Sequence, residues 1–264
     1  MSEKQAVLAV SFGTSHLDTL KVTIEAIEND LAAAFPHHTL RRAFTSGMIC
    51  RKLKERDGLE VDSVSQALER LAGEGYTGVI LQPSHVINGE EYDKLLEQAR
   101  PFVPQFESLK IGAPLLTTLA DYYAVAQALF GELPELREDT ALVFMGHGTA
   151  HLGNPAYAQL EYICHDLHRQ DILLATVEGY PDFDALVRRL EERPKVRNIQ
   201  LAPLMIVAGD HAKNDLAGAE AASWYSRLTA LGYEVSCNLR GLGEYPALRG
   251  LLVAHAQNAP EYCC

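Results

Sequence analysis

The order of strand-like and helix-like segments is what most limits how this chain can fold. Short β-rich runs alternate with stretches of helical spacing from one end to the other. The first four runs are AVLAVSF, LRRAFTS, GVILQPS and LKIGAPLL. The next four are ALVFMGH, ILLATVEG, NIQLAPLMIV and EVSCNLRG. After the first run, Leu17, Leu20, Ile24, Ile27 and Leu31 recur at three- and four-residue intervals, which predicts an amphipathic helix. Parallel strands need long crossovers, usually helical, so this alternation implies parallel sheets with helices on both faces.

The two sets of runs also resemble each other in detail. SFGTSH (Ser11 to His16) matches GHGTAH (Gly146 to His151) at an offset of 135. AFTSG (Ala43 to Gly47) sits against TVEG (Thr176 to Gly179) at an offset of 132. QPSHVINGEE lies on APLMIVAGDH at an offset of 120, pairing Pro83 with Pro203 and Gly89 with Gly209. Each match is short, but the three come in one order and each closes a strand-like run. The expected fold is therefore α/β, with two similar doubly wound parallel-sheet halves. Residues 1–129 and 141–264 would form the halves, and 130–140, containing GELPELREDT, the linker.

Bulk properties narrow the function. A chain of 264 residues, 47% hydrophobic and 22% charged, has the composition of a globular protein with a substantial core. A net charge of −12 argues against a nucleic-acid partner, since that binding needs basic surface. No apolar run nears the roughly 20 residues that cross a bilayer. The start, MSEKQAVLAVSFG, lacks the form of a signal peptide, so a cytoplasmic location is expected. The five cysteines, Cys50, Cys164, Cys237, Cys263 and Cys264, contain no CxxC pair, against a disulfide framework or structural zinc. For the Cys263–Cys264 pair, a frayed end is the plainer reading than a metal tail.

Ligands of open α/β sheets bind beyond the carboxyl ends of strands. Under the internal alignment, His147 replaces Phe12, Glu178 replaces Ser46 and His211 replaces Glu91. Three strand ends of the second half thus carry His, Glu and His, a set suited to a borderline divalent metal or to acid–base work. The first half contributes Glu91, expected to face that site from the other lobe. The plain alternative is structural: a histidine in GHG can bond its own backbone, and His211 in AGDHAKND can serve a helix start. The glycine turns match no P-loop, GxGxxG or GxSxG pattern, and Thr14 and Thr149 are expected to help cap helices.

The segments VSFGTSHLDT, RRAFTSGMICRKL, HVINGEEYDK, VFMGHG, VEGYPD and PLMIVAGDHAKNDLAG resemble those of the anaerobic-pathway sirohydrochlorin cobalt chelatases, of the CbiK type. That resemblance implies the class II chelatase fold, two α/β halves with the active site in the cleft between them. It makes His147 and His211 the metal-binding histidines, Glu178 the metal-binding carboxylate and Glu91 an acidic residue of the cleft, with His147, His211 and Glu91 acting in catalysis. His85 would line the cleft. The implied activity is insertion of Co(II) into sirohydrochlorin during anaerobic cobalamin biosynthesis. Iron insertion toward sirohaem and a non-catalytic tetrapyrrole or metal carrier stay open as alternatives. The implied partners are sirohydrochlorin and divalent cobalt, with Fe(II) or Ni(II) as in vitro substitutes and no permanent cofactor. A homo-oligomer also stays open. Arg51, Lys52, Lys54 and Lys213 are candidates to meet substrate carboxylates, although a solvated helix face accounts for most of them. Some members of the family bind haem, and no histidine here is assigned to it.

Overall fold

The computed structural model describes residues 4–133 and 136–263. It contains every expected strand. The first sheet consists of β1 (Gln5–Ser11), β2 (Thr39–Phe44), β3 (Gly78–Pro83) and β4 (Ser108–Ile111). The second consists of β5 (Thr140–Gly146), β6 (Ile172–Thr176), β7 (Asn198–Pro203) and β8 (Glu234–Cys237). Both are parallel, in the orders β2-β1-β3-β4 and β6-β5-β7-β8. The strands stop short of the sequence runs at their carboxyl ends, and the residues there become loops.

Ten α-helices cover the sheets among the described residues. They are α1 (Leu17–Val22), α2 (Ile24–Ala34), α3 (Gly47–Asp57), α4 (Val64–Gly73), α5 (Glu90–Ala99), α6 (Leu119–Glu132), α7 (Ala156–Asp166), α8 (Phe183–Glu191), α9 (Trp224–Ala230) and α10 (Pro246–Gln257). The first amphipathic stretch is two helices rather than one. Thr23 separates them, with its hydroxyl bonded back to the Thr19 carbonyl, a habit of threonine that bends helices. Leu20, Ile24, Ile27 and Leu31 are buried as the spacing requires, whereas Leu17 is exposed.

The compact units divide elsewhere than at the expected 130–140 linker. One unit runs up to Thr117 and resumes at Pro246; the other spans Thr118–Tyr245. Residues 130–132 close α6, which packs on α7 in the second unit, where Tyr123 donates to Asp166 at 3.0 Å. Helix α10 packs on α2 and β3 in the first unit, and Arg249 pairs with Asp30 at 2.6 Å. The helix after the last strand of each sheet thus belongs to the other unit. Pro134 and Glu135 of the expected linker lie outside the described residues, as does Cys264. Cys50, Cys164, Cys237 and Cys263 are free thiols.

The internal repeat holds in hydrogen-bond register. Ser11 pairs with Phe44 across β1 and β2, as Gly146 pairs with Thr176 across β5 and β6. Val10 pairs with Pro83, as Met145 pairs with Pro203. These are the offsets of 135, 132 and 120 read from the sequence. The central strands β1 and β5 are buried along nearly their whole length, as strands covered on both faces must be. One core gathers Leu8, Val10, Leu68, Leu81 and Leu95. The other gathers Val143, Met145, Leu173, Leu186, Leu201 and Trp224.

In the second unit a buried acid ties two helices to the edge strand β6. Glu161 on α7 accepts the Leu174 backbone N–H at 2.5 Å. Arg189 on α8 clasps Glu161 at 2.6 and 2.7 Å and donates to the Leu174 carbonyl at 2.7 Å. Main-chain groups of an edge strand need partners when covered, and here side chains supply them. Removing the carboxylate would strand a covered guanidinium and a buried N–H. Glu161→Ala is expected to destabilise the fold by about 3 kcal/mol, the usual loss when one member of a buried pair is removed. A urea melt followed by circular dichroism measures it, and an unchanged midpoint would refute the role.

Candidate metal and proton-transfer residues

His147 follows β5 directly, and Glu178 lies two residues beyond β6. Their neighbouring strands are in register, so their loops leave the sheet side by side. The Glu178 N–H donates to the His147 carbonyl at 2.8 Å, as Ser46 donates to Phe12 in the first unit at 3.2 Å. Gly148 lets the loops close: its φ is +78°, and a Cβ there would stand 2.5 Å from the Gly179 nitrogen. Asn154 bridges the same loops, accepting from the Thr149 N–H at 3.0 Å and donating to the Tyr180 carbonyl at 2.6 Å.

His211 comes from the loop after β7 and opens a π-helical turn, His211–Leu216. Such turns concentrate at functional sites. The loop keeps the repeat's geometry at its base, since Lys213 bonds back to the Gly209 carbonyl as Asp93 does to Gly89, both at 3.0 Å. The π turn replaces the α5 geometry of the first unit and aims the imidazole at His147. The two rings meet edge to face, with centroids 4.7 Å apart and planes at 88°.

Ligand atoms of His147, Glu178 and His211 all lie within 4.8 Å of one another, the one such group of three or more among the described residues. All three side chains reach solvent. Each imidazole has one nitrogen engaged elsewhere. His147 Nδ1 lies 2.8 Å from the Gly148 carbonyl, which can only accept, so Nδ1 carries the hydrogen. His211 Nδ1 lies 2.6 Å from Asp215 Oδ2. Both arrangements leave Nε2 with its lone pair free, and a carboxylate behind a ligating histidine is the usual way to fix its tautomer. Asp215 was not singled out from the sequence, although its place four residues after His211 is a readable signal.

The first unit places Glu91 at the start of α5, where Lys94 holds Oε1 at 2.6 Å. Burial pushes this carboxyl up, but Lys94 and the adjacent Thr45 outweigh it and hold the pKa below the usual range. His85 follows β3, and both its ring nitrogens are shut from solvent with no protein partner. Burial drives its pKa down to about 4. Of the four basic candidates, Lys54 is paired with Glu60 at 2.8 Å, Arg51 and Lys52 are exposed on α3, and Lys213 lies in the π turn. Thr14 and Thr149 do not cap helices. Each accepts the N–H two residues on, from His16 at 3.1 Å and His151 at 3.0 Å, closing the turn itself.

Cys164 is buried with its thiol pushed up to about 12, a packing cysteine rather than a ligand. No described helix is long and apolar enough to cross a membrane.

A sirohydrochlorin cobaltochelatase of Salmonella typhimurium is 45% identical, over 97% of this chain and 96% of its own length. The sirohydrochlorin cobaltochelatase CbiKC of Nitratidesulfovibrio vulgaris is 34% identical, over 96% of this chain and 89% of its own. Among solved structures, SirB from Bacillus subtilis with Fe3+ superposes with a TM-score of 0.67 at 13% identity, covering 97% of this chain and 95% of SirB. At that identity the likeness shows the fold, two similar α/β halves. The profile of the cobalt chelatase family CbiK matches residues 5–261, and this chain belongs to that family.

Proposed function

We propose that this protein inserts Co(II) into sirohydrochlorin, a step of anaerobic cobalamin biosynthesis. His147, Glu178 and His211 hold the incoming metal, and Glu91 takes up a proton from the macrocycle. The observation that carries the reading is that ligand atoms of His147, Glu178 and His211, from the loops after three strands, all lie within 4.8 Å of one another.

Metal insertion breaks two pyrrole N–H bonds, forms bonds from those nitrogens to cobalt and releases two protons. Three protein ligands leave coordination positions open, as sites that exchange ligands require. Neutral imidazole and carboxylate bind divalent cobalt without the redox liability of thiolates. The same ligands discriminate poorly between neighbouring metals, so preference for cobalt over iron must be measured. The metal and the tetrapyrrole are both substrates here, and the proposal includes no permanent cofactor. A cytoplasmic location is part of the same proposal.

An anaerobic absorbance assay with sirohydrochlorin, run with Co(II) and Fe(II) in turn, tests the activity. Turnover beyond one equivalent distinguishes an enzyme from a carrier. His147→Ala and His211→Ala are each expected to remove most of the activity while leaving the circular dichroism unchanged. Cobalt soaked into crystals should lie about 2.0–2.3 Å from at least two of the three ligands. Cobalt bound elsewhere, with these three residues bare, would overturn the assignment.

Glu91→Gln keeps the shape and removes the base. Turnover is expected to fall roughly 10²-fold, as for a typical general base, with cobalt affinity little changed. A normal rate in Glu91→Gln, with a slow Glu90→Gln, would shift the role by one residue. Asp215→Asn probes the partner behind His211. Titration with Co(II) should show affinity weakened by roughly 10- to 100-fold, the common cost of losing such a partner. Unchanged affinity would mean that the Asp215 contact only shapes the π turn.

A further inference from the structure

The first unit contains a buried polar cluster of which the reading above uses only Glu91. Thr45 lies just past β2, His85 just past β3 and Glu91 at the start of α5. Thr45 Oγ1, both ring nitrogens of His85 and Glu91 Oε2 are all buried without a protein hydrogen-bond partner. Native proteins seldom leave such groups unpaired, and those that do are often engaged in chemistry. His85 and Thr45 both lie close enough to Glu91 to shift its ionisation. A water molecule needs two to four polar partners in a buried site, and this cluster offers them.

We propose that His85 takes the proton that Glu91 receives from the macrocycle, through one water molecule held by Glu91, Thr45 and His85. This rests on the reading of Glu91 as a proton acceptor. The stoichiometry gives it a purpose: insertion releases two protons, and one carboxylate oxygen can hold only one. In the first transfer a pyrrole N–H breaks and an O–H forms on Glu91 Oε2. That proton passes to the bridging water as the water gives one of its own to a free imidazole nitrogen. Glu91 is then a carboxylate again, ready for the second N–H. Both protons return to solvent after the metallated product leaves.

The environment supports the transfer. His85 is neutral at working pH because burial holds its pKa near 4, so a ring nitrogen is available as an acceptor. Lys94 and Thr45 hold the Glu91 carboxyl below its ordinary range, so it gives up a received proton readily. The Glu91 charge favours the imidazolium and Lys94 opposes it. His85 acts through Glu91 rather than on the substrate.

The test compares His85→Gln, Glu91→Gln and the double variant in anaerobic steady-state assays with Co(II) and sirohydrochlorin. Gln at position 85 keeps a donor and an acceptor but cannot store a proton. His85→Gln should lower kcat by roughly 10- to 100-fold with both KM values and cobalt affinity unchanged. The double variant should be no slower than Glu91→Gln, because residues acting in series do not add. His85→Asn serves the same purpose if the Gln variant does not fold. A slow Glu91→Gln with normal His85 variants overturns the relay alone. Additive losses in the double variant also overturn it, showing that His85 works independently of Glu91. A normal Glu91→Gln overturns the proton role of Glu91 itself.

Discussion

Parallel pairing in a fixed register is the constraint on which the rest depends. Neighbouring strands cannot slip by one residue without sending every side chain to the opposite face of the sheet, into packing shaped for other residues. The apolar β1 and β5, buried on both faces, allow no such slip. Where the ladder ends, the next residues along each strand therefore leave at defined places. The bond from Glu178 N–H to the His147 carbonyl is the last rung of that ladder, carried past β5 and β6 into the loops. The corresponding bond from Leu204 to Met145, 2.8 Å, anchors the exit of β7 toward His211. Three side chains distant in sequence come within reach of one ion because their strands share a register.

The repeat shows the same scaffold put to two uses. Phe12, Ser46 and Glu91 stand where His147, Glu178 and His211 stand in the other unit, with matching main-chain bonds at their bases. The side chains and the turn after the third strand are what differ. An α-helix begins near Glu91, whereas a π turn begins at His211. One extra residue in a helical turn rotates the side chains beyond it, and here it seats Asp215 against the His211 ring. The first unit instead closes its strand ends around buried polar atoms, including the Ser11–Ser84 hydroxyl pair at 2.8 Å. The scaffold fixes positions, and the residues placed there decide the chemistry.

The strands and the metal-binding candidates were legible in the sequence because both are governed by short-range pattern. An apolar run leading into a glycine turn marks a strand end, and three matched segments locate the corresponding ends in each half. The features that were not legible depend on packing. The exchange of α6 and α10 between units leaves no local trace, since each helix has an ordinary apolar face wherever it packs. The break at Thr23 arises from a side chain bonding its own helix, which the spacing of leucines and isoleucines cannot register. His85 fell within a family segment, but its isolation from every protein partner is a property of burial alone.

The exposure of the three metal-binding candidates is itself informative about what they do. A structural metal site gains folding energy from four closed ligands and holds its ion permanently. Here there are three candidate ligands, and the Glu178 side chain is 58% exposed. Three ligands with open positions would hold a divalent ion less tightly than four closed ones. Modest binding is what transfer requires, since a metal held as tightly as in a zinc finger would not leave for another chelator. Exchange also requires open positions where incoming nitrogens can bond before the protein ligands let go. The Gly148 and Asp215 contacts fix the rings through Nδ1 without adding ligands, so they supply orientation without closing the site. Rigid placement with weak capture separates a site that delivers a metal from one that keeps it.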